Sequence, residues 1–285
     1  HPESIARLET VFAVLADVDA VRVEAPLAVE DDVALCHPQS YIDGVRDAMP
    51  TSGLAQIDAD TSASPGTWEA AMRGVGGCLL AVDRVLSGAH KRAFVATRPP
   101  GHHAGADYMS GYCLLNYAAI AAQRLRDKGA SRVAILDVDF HHGNGTQDIF
   151  FDDPTVFYGS THQMPLFPGS GAKTETGAGN ICNAPLNPGD DGENFRAAFR
   201  ERVLKELDEF KPELVIISAG FDAHHRDPLA NINLVEDDFD WATGKLMDVA
   251  ERHADGRVVS LLEGGYDLQG LANSCSTHVK RLMRG

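Results

Sequence analysis

The sequence predicts an α/β fold: one domain whose mostly parallel central sheet is covered by helices on both faces. Three observations predict it. Short apolar strand segments alternate with amphipathic helical segments along the chain. The most apolar of them, Val133-Ala134-Ile135-Leu136, is too continuous for a half-exposed strand and fits one buried on both faces. Four segments that leave strand ends are rich in glycine, histidine and carboxylates, where open α/β sheets bind their ligands. At 285 residues a single domain with a large core is common. No repeat, low-complexity tract or linker divides residues 1–285.

In order, residues 4–15 carry Ile5, Leu8, Val11, Phe12 and Leu15, a helical stripe. A short strand is expected at 21–24, and small helical pieces at 31–36 and 38–48. Residues 51–65, rich in Ser, Asp, Ala and Gly, read as a surface loop. Ser64-Pro65 reads as an N-cap followed by Pro at the first helical position. The helix it opens carries Trp68, Met72, Leu79, Val82 and Leu86 and closes at Gly88. Gly74, Gly76 and Gly77 within it imply close packing against the sheet. Strands follow at 94–97, 133–136, 155–159, 214–218 and 258–262. Helices are expected at 114–128, at 195–207 with Phe195, Phe199, Val203 and Leu207 in register, at 239–253 and at 268–283. Residues 164–169 form a Pro/Gly-rich loop.

Composition narrows the function. Lys and Arg number 25 against 41 Asp and Glu, a net charge of −16. That excludes a nucleic-acid face, which needs basic residues, and suits either solubility or a cationic substrate such as a lysine peptide or polyamine. No apolar run approaches the ~20 residues that span a bilayer, and no secretory signal opens the chain. The five cysteines are scattered without a C-x-x-C pair, which favours a reducing cytoplasm over a disulfide framework. Position 1 is not Met, as in a chain taken from a longer parent.

The densest chemistry lies at 133–145, VAILDVDFHHGNG. If the strand conformation persists, Asp137, Asp139 and His141 point to one side and Val138 and Phe140 to the other. Oxygen and imidazole ligands in one volume suit zinc, manganese or iron. A lone Asp here would more simply cap the next helix; three aligned ligand types favour a metal site. Three further segments should meet it at the sheet edge: 98–103 with His102 and His103, 220–225 with Asp222, and 263–267 with Tyr266.

R-P-P-G-H-H-A (98–104), D-V-D-F-H-H-G-N-G-T-Q (137–147), S-A-G-F-D-A (218–223) and E-G-G-Y (263–266) resemble the zinc-dependent histone deacetylase family. H-H-G-N-G, E-G-G-Y and the opening H-P-E-S-I-A-R-L are similar to its class II branch and bacterial amidohydrolase relatives. The resemblance covers nearly the whole chain and implies the three-layer arginase/deacetylase fold. It makes Asp139, His141 and Asp222 zinc ligands, Tyr266 the oxyanion donor, and His102 and His103 the pair flanking the water, with His103 as general base. Asp137 would orient His102 and Asn144 would lie near His103. Asp137 would also serve a structural potassium site with Ser160. Gly111, Tyr112 and Phe167 would line a narrow substrate tunnel, Leu229 its mouth, and Asp60 its rim. The family's usual short segment before H-P-E, which contributes a strand and part of the rim, is absent from this sequence.

The expected activity is zinc-dependent removal of acetyl or other acyl groups from primary amines, above all acyl-lysine side chains of proteins or peptides. The alternatives are an acetylpolyamine amidohydrolase, a binuclear manganese ureohydrolase of arginase type, and a non-catalytic binding protein. In the resembled polyamine-deacetylating branch a Glu stands where this chain has Leu229. Expected partners are an acylated peptide or small acylated amine, with no nucleic acid or membrane, and a further copy of the chain as a possible oligomer.

Overall fold

The structure, a computed structural model, describes residues 1–284. The chain runs α1 (Ile5–Val14), α2 (Glu30–Val33), α3 (Gln39–Asp47), a small hairpin β1 (Ala55–Gln56) and β2 (Ser62–Ala63), α4 (Thr67–Leu86) and β3 (Arg92–Val95). It continues through α5 (Tyr117–Asp127), β4 (Val133–Asp137), α6 (Asn144–Phe150), β5 (Val156–Ser160) and β6 (Ile181–Asn183). A long helix follows, α7 (Gly192–Ala198) and α8 (Lys205–Phe210) joined by a π-helical segment at Phe199–Leu204. The last elements are β7 (Leu214–Ala219), α9 (Glu236–His253), β8 (Val258–Leu262) and α10 (Leu268–Met283).

The main sheet has the order β3-β8-β7-β4-β5-β6, and every pair in it is parallel. Alternate residues of β4 enter two different cores. Ala134 and Leu136 join Phe195, Phe199, Leu246 and Val249 on one face, while Val133 and Ile135 join Val75, Ile120 and Leu125 on the other. That double burial is why the strand carries no polar alternation.

Topology then fixes where a site can form. From β4 the chain steps to β5 and β6 on one side, then returns to β7 and β8 on the other. β4 and β7 therefore flank a switch point, where loops from neighbouring strand ends diverge and leave a crevice. The register sets Asp137 level with Ser160 on β5 and Ser218 on β7, so the carboxyl ends of the three strands open together.

Several local expectations differ from the structure. Residues 21–24 pair with no strand; they lie along α4, where the Arg73 guanidinium binds the Ala25 carbonyl at 3.0 Å. The glycines of α4 make room for the chain just after this segment, at Ala25 and Pro26, and also for the sheet, as the sequence implies: a Cβ on Gly77 would lie 3.2 Å from Val95 Cγ1 of β3. A Cβ on Gly76 would meet the Pro26 carbonyl, and one on Gly77 would lie 3.1 Å from the Ala25 Cβ. Gly74 instead packs on Thr97 and Tyr117. The helix begins at Thr67 rather than at Pro65, and the Thr67 hydroxyl accepts the Ser64 N–H at 2.9 Å. Both α6 and β6 lie where the sequence showed no periodicity, each too short to carry one.

Candidate functional site

β4 ends at Asp137, and the backbone beyond it does not continue as an extended row. Asp137 Oδ1 accepts the Asp139 N–H at 3.1 Å, and Asp139 Oδ1 accepts the His141 N–H at 2.8 Å. Two successive Asp-to-backbone turns replace the alternation expected from the sequence. They aim Asp137 away from Asp139 and His141, and those two toward Asp222 at the end of β7.

Ligand atoms of Asp139, His141 and Asp222 all lie within 4.8 Å of one another. Each carboxylate is held by a backbone donor from another segment: Asp139 Oδ2 accepts from Gly264 N–H, and Asp222 Oδ1 from Phe140 N–H, both at 2.8 Å. Asp222 Oδ2 and Asp139 Oδ1 remain turned toward His141 Nδ1, at 3.0 and 3.3 Å. A Cβ on Gly220 or Gly264 would intrude on these carboxylate oxygens, so only glycine leaves the space open. Burial works against a charged His141, yet Asp139 and Asp222 raise its pKa to about 10. Burial and the Asp139 charge raise Asp222 to about 7. Two buried carboxylates facing one imidazole attract a cation, and this oxygen–nitrogen set fits a divalent metal such as zinc.

His102 and His103 lie beside this group, on the segment after β3. His102 Nδ1 is 2.9 Å from Asp137 Oδ2, which also accepts from the Tyr158 hydroxyl at 3.0 Å. His102 Nε2 lies 3.8 Å from Asp139 Oδ1. His103 Nδ1 is 2.8 Å from Asn144 Oδ1, at the start of α6.

Three residues that hold the site were not singled out in the sequence for that task. Glu263 is fully buried; its Oε2 accepts the N–H groups of Gly101 (2.7 Å) and His102 (3.2 Å), and its Oε1 accepts from Ser218 Oγ (3.0 Å). One carboxylate, just past the end of β8, thus joins the segment after β3 to β7. Arg7, buried in α1, donates to the carbonyls of Gly265 (2.7 Å) and Glu263, and its guanidinium lies 4.9 Å over the Tyr266 ring. Asp227 Oδ2 accepts from the N–H groups of Tyr266 (2.7 Å) and Asp267 (3.2 Å), while Oδ1 accepts from Leu229 N–H at 3.0 Å. Tyr266 is therefore held at its N–H by Asp227 and across its ring by Arg7, which also bonds the carbonyl just before it. Only their positions inside recognisable motifs, E-G-G-Y and D-P-L, could have pointed to Glu263 and Asp227.

The expected tunnel residues lie around these groups. The Phe167 ring, 44% exposed, packs edge-on against His103 at 5.1 Å and His141 at 6.3 Å. A Cβ on Gly111 would strike His103 and lie 3.1 Å from the Phe167 ring. Tyr112 sits in the left-handed region (φ 68°) with its N–H on Thr61 Oγ1, and its ring meets Tyr266 at 5.9 Å. Asp60 is one residue before Thr61 and accepts from its hydroxyl at 3.1 Å. Leu229 is half-buried beside Asp227. Ser160 Oγ bonds His162 Nδ1 at 2.8 Å. All five cysteines carry free thiols, Cys113 among the buried ones. Among the described residues no helix is long and apolar enough to cross a membrane.

The family profile described as the histone deacetylase domain matches residues 1–282. The chain is 37% identical to the histone deacetylase-like amidohydrolase of Pseudomonas aeruginosa, over 93% of this chain and 71% of that one. It is 44% identical to the acetylpolyamine amidohydrolase of Mycoplana ramosa, over 67% of this chain and 59% of that one. The crystal structure of the HDA15 HD domain superposes with a TM-score of 0.93 at 32% identity, covering 100% of this chain and 85% of the other. With matched motifs, a matched fold and a match along nearly its whole length, the chain belongs to the histone deacetylase family of hydrolases.

Proposed function

We propose that the protein is a zinc-dependent amidohydrolase that removes acetyl or other acyl groups from primary amines, foremost acyl-lysine side chains of proteins or peptides. The observation that carries this reading is the juxtaposition of the Asp139–His141–Asp222 group with two differently partnered histidines and Tyr266. Zinc held by those three residues would polarise the acyl carbonyl and make water a competent nucleophile at neutral pH. His103 Nε2, left free when Nδ1 donates to Asn144, takes a proton as water adds to the carbonyl carbon. The same nitrogen returns that proton to the amine as the C–N bond breaks. His102, paired with Asp137, adds positive charge beside the reacting atoms, and the Tyr266 hydroxyl donates to the oxygen as it gains charge. Asp137 and Ser160, level on β4 and β5, would hold a structural potassium ion together with nearby carbonyls.

A single ligand group among the described residues supports one catalytic ion per chain rather than the two of an arginase-type site. The identity to an acetylpolyamine amidohydrolase favours a second reading, in which the substrate is an acetylated polyamine. Leu229 separates the two: it offers no partner to a second ammonium group at the mouth. On the zinc-loaded protein, kcat/KM should be higher for an acetyl-lysine peptide than for an acetylpolyamine. Leu229→Glu should shift that ratio toward the polyamine by roughly ten- to a hundredfold. A wild-type preference for the polyamine, or a ratio unmoved by Leu229→Glu, would overturn the lysine reading.

A further inference from the structure

A base at His103 Nε2 requires that the single proton of the neutral ring stay on Nδ1, and this depends on which end of the Asn144 amide faces it. With Oδ1 toward the ring, the imidazole donates from Nδ1 and keeps its Nε2 lone pair. Rotated by half a turn, the amide would present an N–H to Nδ1 and leave the proton on Nε2, where it blocks the base. The two ends of an amide are nearly equal in size, so packing alone cannot choose between them.

The choice is made one residue further out. Asn144 Nδ2 lies 3.1 Å from the Tyr108 hydroxyl, and that hydroxyl donates its proton to Asp148 Oδ2. A carboxylate has no proton to give back, so the phenol oxygen meets Asn144 with lone pairs alone and accepts an N–H. The reverse amide orientation would set oxygen against oxygen. Local structure builds this arrangement. Asn144 and Asp148 stand four residues apart in α6 and so share one helix face. Gly105 N–H donates to the Tyr108 carbonyl at 3.0 Å, and the turn lays the phenol ring where a Cβ on residue 105 would stand. Tyr108 is a donor at neutral pH as any phenol is, and burial and Asp148 favour its protonated form further.

We infer that Tyr108 and Asp148 are positioning residues, which act through Asn144 to hold the His103 proton on Nδ1. The inference rests on the deacylase reading for its effect on turnover, but not for its effect on the imidazole. Tyr108→Phe keeps the ring and removes the oxygen that orients the amide. In the zinc-loaded protein, kcat should fall roughly two- to tenfold, the range of one hydrogen bond, with KM unchanged. Nitrogen-15 spectra should show His103 Nδ1 losing its proton in part of the population. In an Asn144→Asp background the same substitution should do neither, because a carboxylate has no N–H to misdirect. Asp148→Asn, which leaves Tyr108 in place, should move the spectrum in the same direction. An unchanged His103 Nδ1 signal in both variants, or an equal loss of turnover in the Asn144→Asp background, would overturn the proposal. If no acyl amine is hydrolysed at all, the deacylase reading fails, while the spectra still decide the orientation of Asn144.

Discussion

His102 and His103 are consecutive, both are buried, and their ring centroids lie 4.0 Å apart. Their surroundings nevertheless drive them in opposite directions. Burial disfavours a charge on His102, but Asp137, Asp139 and Glu263 overcome it and hold the pKa well above the ordinary imidazole value. Burial and the neighbouring His102 and His141 push His103 well below it. The surroundings thus favour the charged form of one ring and the neutral form of the other. Part of the difference lies in the partner of Nδ1, a carboxylate for one and an amide for the other, and part in the further charges each ring faces: Asp139 and Glu263 for His102, His102 and His141 for His103. Residue type and burial, alike in both, decide neither role.

The comparison can be sharpened by removing each ring. His103→Ala should lower kcat by ~10²–10⁴, as loss of a general base does, while elemental analysis still finds the bound metal. His102→Ala should cost less, because a charge can be replaced in part by solvent. Equal losses from the two would erase the distinction. A smaller effect is expected when the partners are made alike. Asp137→Asn gives His102 an amide in place of a carboxylate, so its pKa should fall in an NMR titration. Turnover should drop roughly ten- to a hundredfold, the scale of one charge-assisted hydrogen bond. An unmoved titration would place the source of the His102 charge elsewhere.

The smallest effect concerns stability. His278, sealed between Thr243 (2.7 Å) and Ser260 (2.8 Å), is lowered by burial to about 3. A histidine whose folded pKa lies below its unfolded value of ~6.5 leaves the unfolded chain binding the proton more readily. Its contribution to stability is therefore lost as pH falls below that value. Relative to His278→Gln, the wild type should lose about 2 kcal/mol between pH 6.5 and 5, read from urea unfolding at each pH. A gap between the two proteins that stays constant with pH would show that His278 binds a proton in the fold.

How much of the molecule is legible in its sequence varies with the kind of signal. The central strand is, because double burial writes a continuous apolar run, and so are the ligand types at the strand ends. The direction of Asp137 is not: alternation holds only while the backbone stays extended, and Asp139 and His141 use their N–H groups to turn it. The segment 21–24 has the Val-Arg-Val pattern of a strand, yet its chain bonds α4 instead of a sheet edge. Arg7, Asp227 and Tyr108 stay hidden for another reason. They serve backbone carbonyls, backbone N–H groups or a side-chain amide far away in sequence, and such partners leave no spacing to read. Glu263 lies in view within its motif, but nothing in E-G-G-Y says that its oxygens hold the residues after β3 rather than a metal.

Arg7 gives sequence distance a meaning in time. The carbonyl it binds at Gly265 comes 258 residues later. At ordinary translation rates its guanidinium leaves the ribosome roughly 10 to 50 s before that carbonyl exists. The helix that bears it must wait, its cation in water, until β8 is made and delivers Glu263, Gly264 and Tyr266 together. Asp139, the His102–His103 segment and Tyr266 therefore come under one set of bonds only near the end of synthesis. A chain interrupted before residue 263 would carry Asp139, His141 and Asp222 without the Gly264 N–H that holds Asp139 Oδ2. Premature release would thus leave a fragment that lacks both Tyr266 and the Glu263 carboxylate on which the residues after β3 hang.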